Sequence, residues 1–187
     1  MAYELRWNPI LQWWVMISSA RQGRPLLPTA SCPFCPGSGK VPDQYEMLVY
    51  NNDFPILRPD PPEIDGMPNP SLIPPLPKGD TGGFKHGILH HRAQSFGKCE
   101  VILYTSDHYK QLWELPHRHL EKLIDLWTER YTEIGKDPHV KFVFIFENRG
   151  ELVGVTIHHP HGQIYGFPFI PKRIELELNS CKQYYDT

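Results

Sequence analysis

The sequence predicts an α+β fold, a mainly antiparallel sheet with one long amphipathic helix packed on it. Two observations carry that expectation. Short aromatic and β-branched runs bounded by turn residues recur along the chain and read as strands. After Pro116 the apolar period changes: Leu120, Leu123, Ile124, Trp127, Tyr131 and Ile134 fall on one helical face. Several strands served by a single such helix form one sheet with one helical layer.

The elements follow in chain order. "LQWWVMIS" (Leu11–Ser18) is the first predicted strand, and "SCPFCPGSGK" (31–40) is a turn-rich knuckle. "YEMLVYNND" (Tyr45–Asp53) alternates well enough for a second strand and ends on a turn signal. "CEVILYT" (Cys99–Thr105) is a third. Pro116 suits the first turn of the helix and Gly135 its stop. "VKFVFIFEN" (Val140–Asn148) is a continuous apolar strand, followed by a turn at Arg149-Gly150 and a further strand over Val153–Ile157. "QIYGFPFIP" closes the sheet. The tail "KRIELELNSCKQYYDT" begins like a helix and stops without a cap or glycine, so either it ends in disorder or, the favoured expectation, the chain is one part of a longer protein. The expected division is therefore one domain over 1–171 and the start of a helix or tail over 172–187.

At 187 residues the chain suffices for one full domain with a substantial core. A formal net charge of −2 leaves no basic field for nucleic acid. No apolar run approaches the roughly 20 residues that span a bilayer. Glu4 and Arg6 interrupt the N-terminus where a signal peptide needs an apolar core, so a cytoplasmic location is expected. In a reducing compartment, paired cysteines suggest metal or catalysis more than disulfides. Of the 20 prolines, a dense group runs from Pro55 to Pro77. That composition fits a mobile linker or an ordered loop with a pinned backbone, and both readings stay open.

Cys32-Pro33-Phe34-Cys35 is a C-x2-C pair in a turn, a spacing that offers two thiolates to a tetrahedral metal, although a reduced pair without metal has the same pattern. Two more ligands would come from the ten histidines or from Cys99 and Cys181, which read as ordinary thiols. His108 follows the third strand in "SDH", a place where a histidine is more often structural or on the surface than a ligand. His86, His90, His91, His117, His119 and His139 read as solvated. "HHPHGQ" is different. In extended backbone His159, His161 and Gln163 share one face, Pro160 stiffens the segment, and Gly162 admits close approach. Convergent polar groups of this kind mark a site.

His159-Pro160-His161-Gly162-Gln163 matches the His-x-His-x-Gln motif of the transferase branch of the histidine-triad superfamily. Together with "RWNPILQWWVMISSARQGRP", "CPFC", "NNDFP", "SDH" and "FENRGELVG", in that order, the chain resembles the N-terminal half of the galactose-1-phosphate uridylyltransferase family. The resemblance implies a histidine-triad-like sheet and exchange of UMP between UDP-glucose and galactose 1-phosphate. It makes Cys32, Cys35, His108 and His159 ligands of a structural zinc, and His161 the nucleophile that becomes uridylylated. Gln163 then contacts phosphoryl oxygens, Asn52 and Asp53 hold uridine or ribose, and Phe34, Phe146, Asn148 and Thr156 line the nucleotide pocket. Thr156 stands where the family has serine. Arg21 and Arg24 match basic positions near phosphate. Glu177 falls where the family has a ligand for a second metal, iron or zinc, whose remaining ligands belong to the absent half. With that half present, the resemblance implies a homodimer.

Two other readings compete: an ADP-sugar phosphorylase or adenylyltransferase of the same fold, and a zinc-stabilised nucleotide-binding module without turnover.

Overall fold

The computed structural model describes residues 3–19, 32–64, 92–153, 155 and 157–186. In order these form β1 (Tyr3–Asn8), β2 (Trp13–Ser18), β3 (Leu48–Asn51), β4 (Arg92–Gln94), β5 (Lys98–Leu103), α1 (His117–Gly135), β6 (Phe142–Phe146), β7 (His161–Phe167) and α2 (Lys172–Tyr185). The strands make two sheets rather than one, a four-stranded sheet ordered β3-β5-β7-β6 and a three-stranded sheet ordered β2-β1-β4. Every ladder between these strands is antiparallel. The fold is α+β.

Strand alternation divides the four-stranded sheet into two faces. Val49, Ile102, Val143 and Ile164 point to one face and pack with Leu123 and Ile134 of α1. Arg130 of α1 also reaches this face, where it donates to both oxygens of buried Glu100 at 2.8 and 2.9 Å. This charge-assisted fork fixes the helix across β5. The opposite face bears Leu48 and Tyr50 of β3, Val101 and Leu103 of β5, and His161, Gln163 and Tyr165 of β7. Its far end packs against the second sheet, where Leu5, Ala93, Cys99, Tyr165 and Phe167 share one cluster.

Several boundaries differ from the sequence expectation. β1 and β4 are additional strands, β1 pairing with β2 on one side and β4 on the other. β2 begins at Trp13 because Leu11 and Gln12 belong to the turn that closes the β1–β2 hairpin. β3 is confined to Leu48–Asn51, since Asn52 accepts the Phe54 N–H at 2.9 Å and turns the chain. The strand expected over 153–157 does not form among the described residues. Glu151–Val153 is a 3₁₀ turn, and the segment that follows carries the chain from β6 to the start of β7. β7 begins at His161, earlier than expected, and ends at Phe167, where Pro168 can no longer donate to a ladder. α2 runs to Tyr185 and is capped by the backbone of Asp186.

Of the proline-rich stretch, the described part is ordered. Leu57 is fully buried and the Arg58 N–H donates to the Ser95 carbonyl at 3.0 Å.

Gly162 is required by close packing. A Cβ there would collide with the hydroxyl of Tyr104 and lie 2.9 Å from its Cζ. Tyr104 is buried, edge-on to Trp127 at 6.0 Å and tied to Glu147 through its hydroxyl, so it cannot yield. Gly162→Ala is expected to destabilise the protein by about 1–3 kcal/mol, as overpacking does, measured by thermal unfolding. An unchanged midpoint would show that the ring moves freely.

Candidate active site and metal centre

The cysteine knuckle is a hydrogen-bonded turn. The Cys35 N–H donates to the Cys32 carbonyl at 3.3 Å and the Ser38 N–H to the Cys35 carbonyl at 3.1 Å. The Phe34 N–H points at Cys32 Sγ, 3.4 Å away. Gly37 and Gly39, at φ of 80° and 77°, supply the left-handed residues that complete the reversal. Across from it, Asp107 accepts the Tyr109 N–H at 3.0 Å, making the short turn after β5 that carries His108. His159 precedes β7, and its ring is buried.

These three segments bring Cys32, Cys35, His108 and His159 together, with one ligand atom from each lying within 4.8 Å of all the others. Cys35 Sγ is 3.4 Å from His108 Nδ1 and 3.7 Å from His159 Nδ1. Around a tetrahedral ion with metal–sulfur bonds near 2.3 Å and metal–nitrogen bonds near 2.0 Å, such edges are about 3.5 Å. The residues therefore fit a four-coordinate ion.

Second contacts orient the ligands. His159 donates its Nε2–H to the Thr105 carbonyl at 2.7 Å, which leaves the lone pair on Nδ1, the atom that faces Cys35. The Tyr45 hydroxyl lies 3.0 Å from the same Nε2 and donates to the Phe34 carbonyl at 2.6 Å, joining knuckle to histidine. Burial foremost holds the His159 imidazole below its ordinary pKa, so the neutral, ligating form is favoured. Burial, then Cys32 and Asp107, pushes the Cys35 thiol up to about 11. A bound cation reverses that balance by stabilising the thiolate.

Beside this cluster lies a different constellation. His161 stands on the sheet face opposite Leu103, and Gln163 is the centre of a cross-strand row, Tyr50–Val101–Gln163–Phe146. His161 donates its Nδ1–H to the His159 carbonyl at 2.7 Å, so its lone pair resides on Nε2. Phe34 is buried, with its ring centroid 5.8 Å from that of His161 and 6.2 Å from that of His159. The knuckle thus packs directly on both imidazoles. A neutral imidazole with a fixed tautomer can act as a nucleophile, and an amide two residues along the same face can donate to an anion. His158 is exposed and takes part in neither set.

The remaining candidates spread around this face. Asp53 accepts from Lys40 at 2.7 Å and from the Tyr50 hydroxyl at 2.8 Å, and Tyr50 is 5.4 Å edge-on from Phe34. Asn52 uses its side-chain oxygen in the turn after β3. Phe146 borders Gln163 by register, and exposed Asn148 follows it by two residues. Arg21, Arg24 and Thr156 lie outside the described residues. Glu177 sits on exposed α2, accepts from Arg173 at 3.1 Å, and among the described residues joins no group of three metal-ligating side chains. Cys99 is buried behind the second sheet and Cys181 is exposed on α2, both apart from the metal cluster.

A groove of about 680 Å³ opens elsewhere, beside Trp13, Trp14, Phe144 and Ile170. Its lining is aromatic and contains no histidine or cysteine, so it lacks groups for this chemistry. Sequence reasoning missed Tyr45 and Thr105. Their contributions come from hydroxyl and carbonyl positions set by the fold, and no spacing signal announces them.

The chain resembles known proteins over nearly its whole length. It is 39% identical over 184 residues to the galactose-1-phosphate uridylyltransferase of Thermotoga maritima, covering 98% of this chain and 52% of that protein. With the enzyme of the same name from Streptomyces lividans it shares 34% identity, covering 98% and 43%. A solved uridylyltransferase structure superposes with a TM-score of 0.75 at 25% identity, over 97% of this chain and 51% of that one. An ADP-glucose phosphorylase from Arabidopsis thaliana with bound ADP-glucose superposes at 0.61 with 23% identity, over 97% and 54%, a likeness of fold. The chain spans about half the length of the curated relatives it matches. Residues 2–171 match the N-terminal domain of the galactose-1-phosphate uridyl transferase family, and the chain belongs to that family.

Proposed function

We propose that this protein transfers UMP between UDP-glucose and galactose 1-phosphate through a covalent uridylyl group on His161. The observation that carries the reading is the His161 tautomer: Nδ1–H is committed to the His159 carbonyl at 2.7 Å, which places the reactive lone pair on Nε2. In the first half-reaction Nε2 attacks the α-phosphorus of UDP-glucose. A nitrogen–phosphorus bond forms, the phosphorus–oxygen bond to the second phosphate breaks, and glucose 1-phosphate leaves with that electron pair. In the second, a phosphate oxygen of galactose 1-phosphate attacks the same phosphorus, the bond to His161 breaks, and UDP-galactose departs. Splitting one transfer into two gives ping-pong kinetics.

Glucose 1-phosphate is a good leaving group and needs no proton. Gln163 is suited to such a step, because an amide orients the phosphoryl oxygens but does not titrate near neutral pH. Donors aimed at charge developing on those oxygens lower the barrier. Asn52, Asp53, Phe146 and Asn148 would meet the nucleoside from the ends of β3 and β6.

In this reading the ion held by Cys32, Cys35, His108 and His159 is zinc, four-coordinate and structural. It ties the knuckle and the turn after β5 to the segment entering β7, and so fixes the His159 carbonyl that orients His161. The four-stranded antiparallel sheet with His161 on its face fits a histidine-triad architecture.

The fold also serves an ADP-glucose phosphorylase, so the donor base is the point to test. Zinc-loaded protein is expected to release glucose 1-phosphate from UDP-glucose at least about tenfold faster than from ADP-glucose, since hydrogen-bonded sites discriminate strongly among bases. The reverse preference would favour the adenylyl reading. Nucleotide bound without release from either donor would favour a binding module.

A further inference from the structure

We propose that Tyr165 is a positioning residue that sets which end of the Gln163 amide faces the phosphoryl group. The inference rests on the transfer reading above and adds a residue to it. The Tyr165 hydroxyl donates to Gln163 Oε1 at 2.9 Å. His161, Gln163 and Tyr165 follow one another on the same face of β7, so Tyr165 lies on the side of Gln163 away from His161. The oxygen of the amide is therefore drawn away from the nucleophile, and the NH₂ end is turned toward it.

The orientation matters because the two ends of an amide have opposite polarity. The NH₂ donates to an anionic phosphoryl oxygen, whereas a flipped amide would direct its own oxygen at that anion. Nothing in a lone glutamine prefers one flip over the other. A phenol hydroxyl donates better than it accepts and the amide oxygen is the stronger acceptor, so Tyr165 supplies the preference, and does so from a rigid base. Its ring is buried at 6% exposure in the cluster with Cys99 and Phe167, and Phe146 meets it edge-on at 5.0 Å and 84°. Packing alone would be served by phenylalanine, as it is at Phe142, Phe146, Phe167 and Phe169 around it. The hydroxyl is the part that packing does not require, and a buried tyrosine hydroxyl seeks a partner.

The test is a double-mutant cycle on adduct formation. Zinc-loaded wild type, Tyr165→Phe, Gln163→Ala and the double variant are mixed with saturating UDP-glucose, quenched at intervals and weighed intact. Tyr165→Phe is expected to slow uridylylation about tenfold, the kinetic equivalent of one lost hydrogen bond, with zinc content unchanged. In the Gln163→Ala background the same substitution is expected to cause no further slowing. A wild-type rate for Tyr165→Phe, or equal slowing in both backgrounds, would overturn the proposal. A second measurement is independent of turnover. The ¹⁵N side-chain amide resonances of Gln163, assigned by their loss in Gln163→Ala, should shift in Tyr165→Phe without nucleotide. Unchanged resonances would refute the orientation whether or not the protein reacts, while the expected shift in Tyr165→Phe together with no adduct on the wild type would count against the transfer reading alone.

Discussion

Cys35→Ser is expected to lower bound zinc well below one ion per chain and to reduce stability by on the order of 4 kcal/mol, the scale of losing a structural metal. For a chain of this size that is a fall of about 10 °C in the unfolding midpoint. The cost arises because one ion would join the knuckle, the turn after β5 and the entry to β7 at a single point, in addition to their ties through Tyr45, Phe34 and Thr105. Cys35 itself contacts both His108 and His159. Chelation of the wild type should give a similar midpoint, and chelating the variant should add little. Occupancy also depends on pH. Burial, then Cys32 and Asp107, pushes the Cys35 thiol up to about 11, so the ion must displace a proton that is present throughout the neutral range. At limiting zinc, occupancy should fall as pH is lowered. Metal analysis and calorimetry check both statements, and full occupancy in Cys35→Ser would place the metal elsewhere.

His161→Asn is expected to behave in the opposite way, with stability nearly retained and transfer abolished. His161 is half-buried, and the hydrogen bond of its Nδ1 to the His159 carbonyl is one that an asparagine amide nitrogen, placed at the same position along the side chain, can also make. Chemistry has no such substitute, because an amide nitrogen is not nucleophilic. Loss of an essential nucleophile lowers turnover by about 10⁴-fold or more. Steady-state exchange between UDP-glucose and galactose 1-phosphate, alongside thermal unfolding and zinc analysis, separates this loss from damage to the fold. Exchange that survives would mean that another group attacks phosphorus.

The parts of the fold legible in the sequence were those with strong local periodicity. The helix expected after Pro116 appears as α1, with Leu123 and Ile134 of the expected stripe buried but Ile124 and Tyr131 exposed, and the apolar run around Phe144 appears as β6. β1 was hidden because Glu4 and Arg6 interrupt it. Their charges are accommodated by pairing, with Glu4 buried between Arg6 and Arg92. β4 is three residues long and offers no pattern to read. At 153–157 β-branched residues suggested a strand, but that segment has to bridge β6 and β7 and deliver His159 to the metal cluster. The four cysteine and histidine ligands were named through family resemblance, since their spacing alone left several partners open. Their convergence required the β3-β5-β7 order that sets the knuckle over the end of β7. The tyrosines that orient His159 and Gln163 could be found only from the fold, because each acts through a hydroxyl placed by packing far from its own local sequence pattern or along a strand whose register is not visible in advance.

If His161 is the nucleophile, it carries the uridylyl group between the two half-reactions. Intact-mass measurement of the zinc-loaded protein after incubation with UDP-glucose tests it directly, with His161→Asn as the control. One added uridylyl group is expected in the wild type, removed by galactose 1-phosphate and absent from the variant. A folded, zinc-loaded wild type that gains no such mass, or an adduct that persists in His161→Asn, would contradict it.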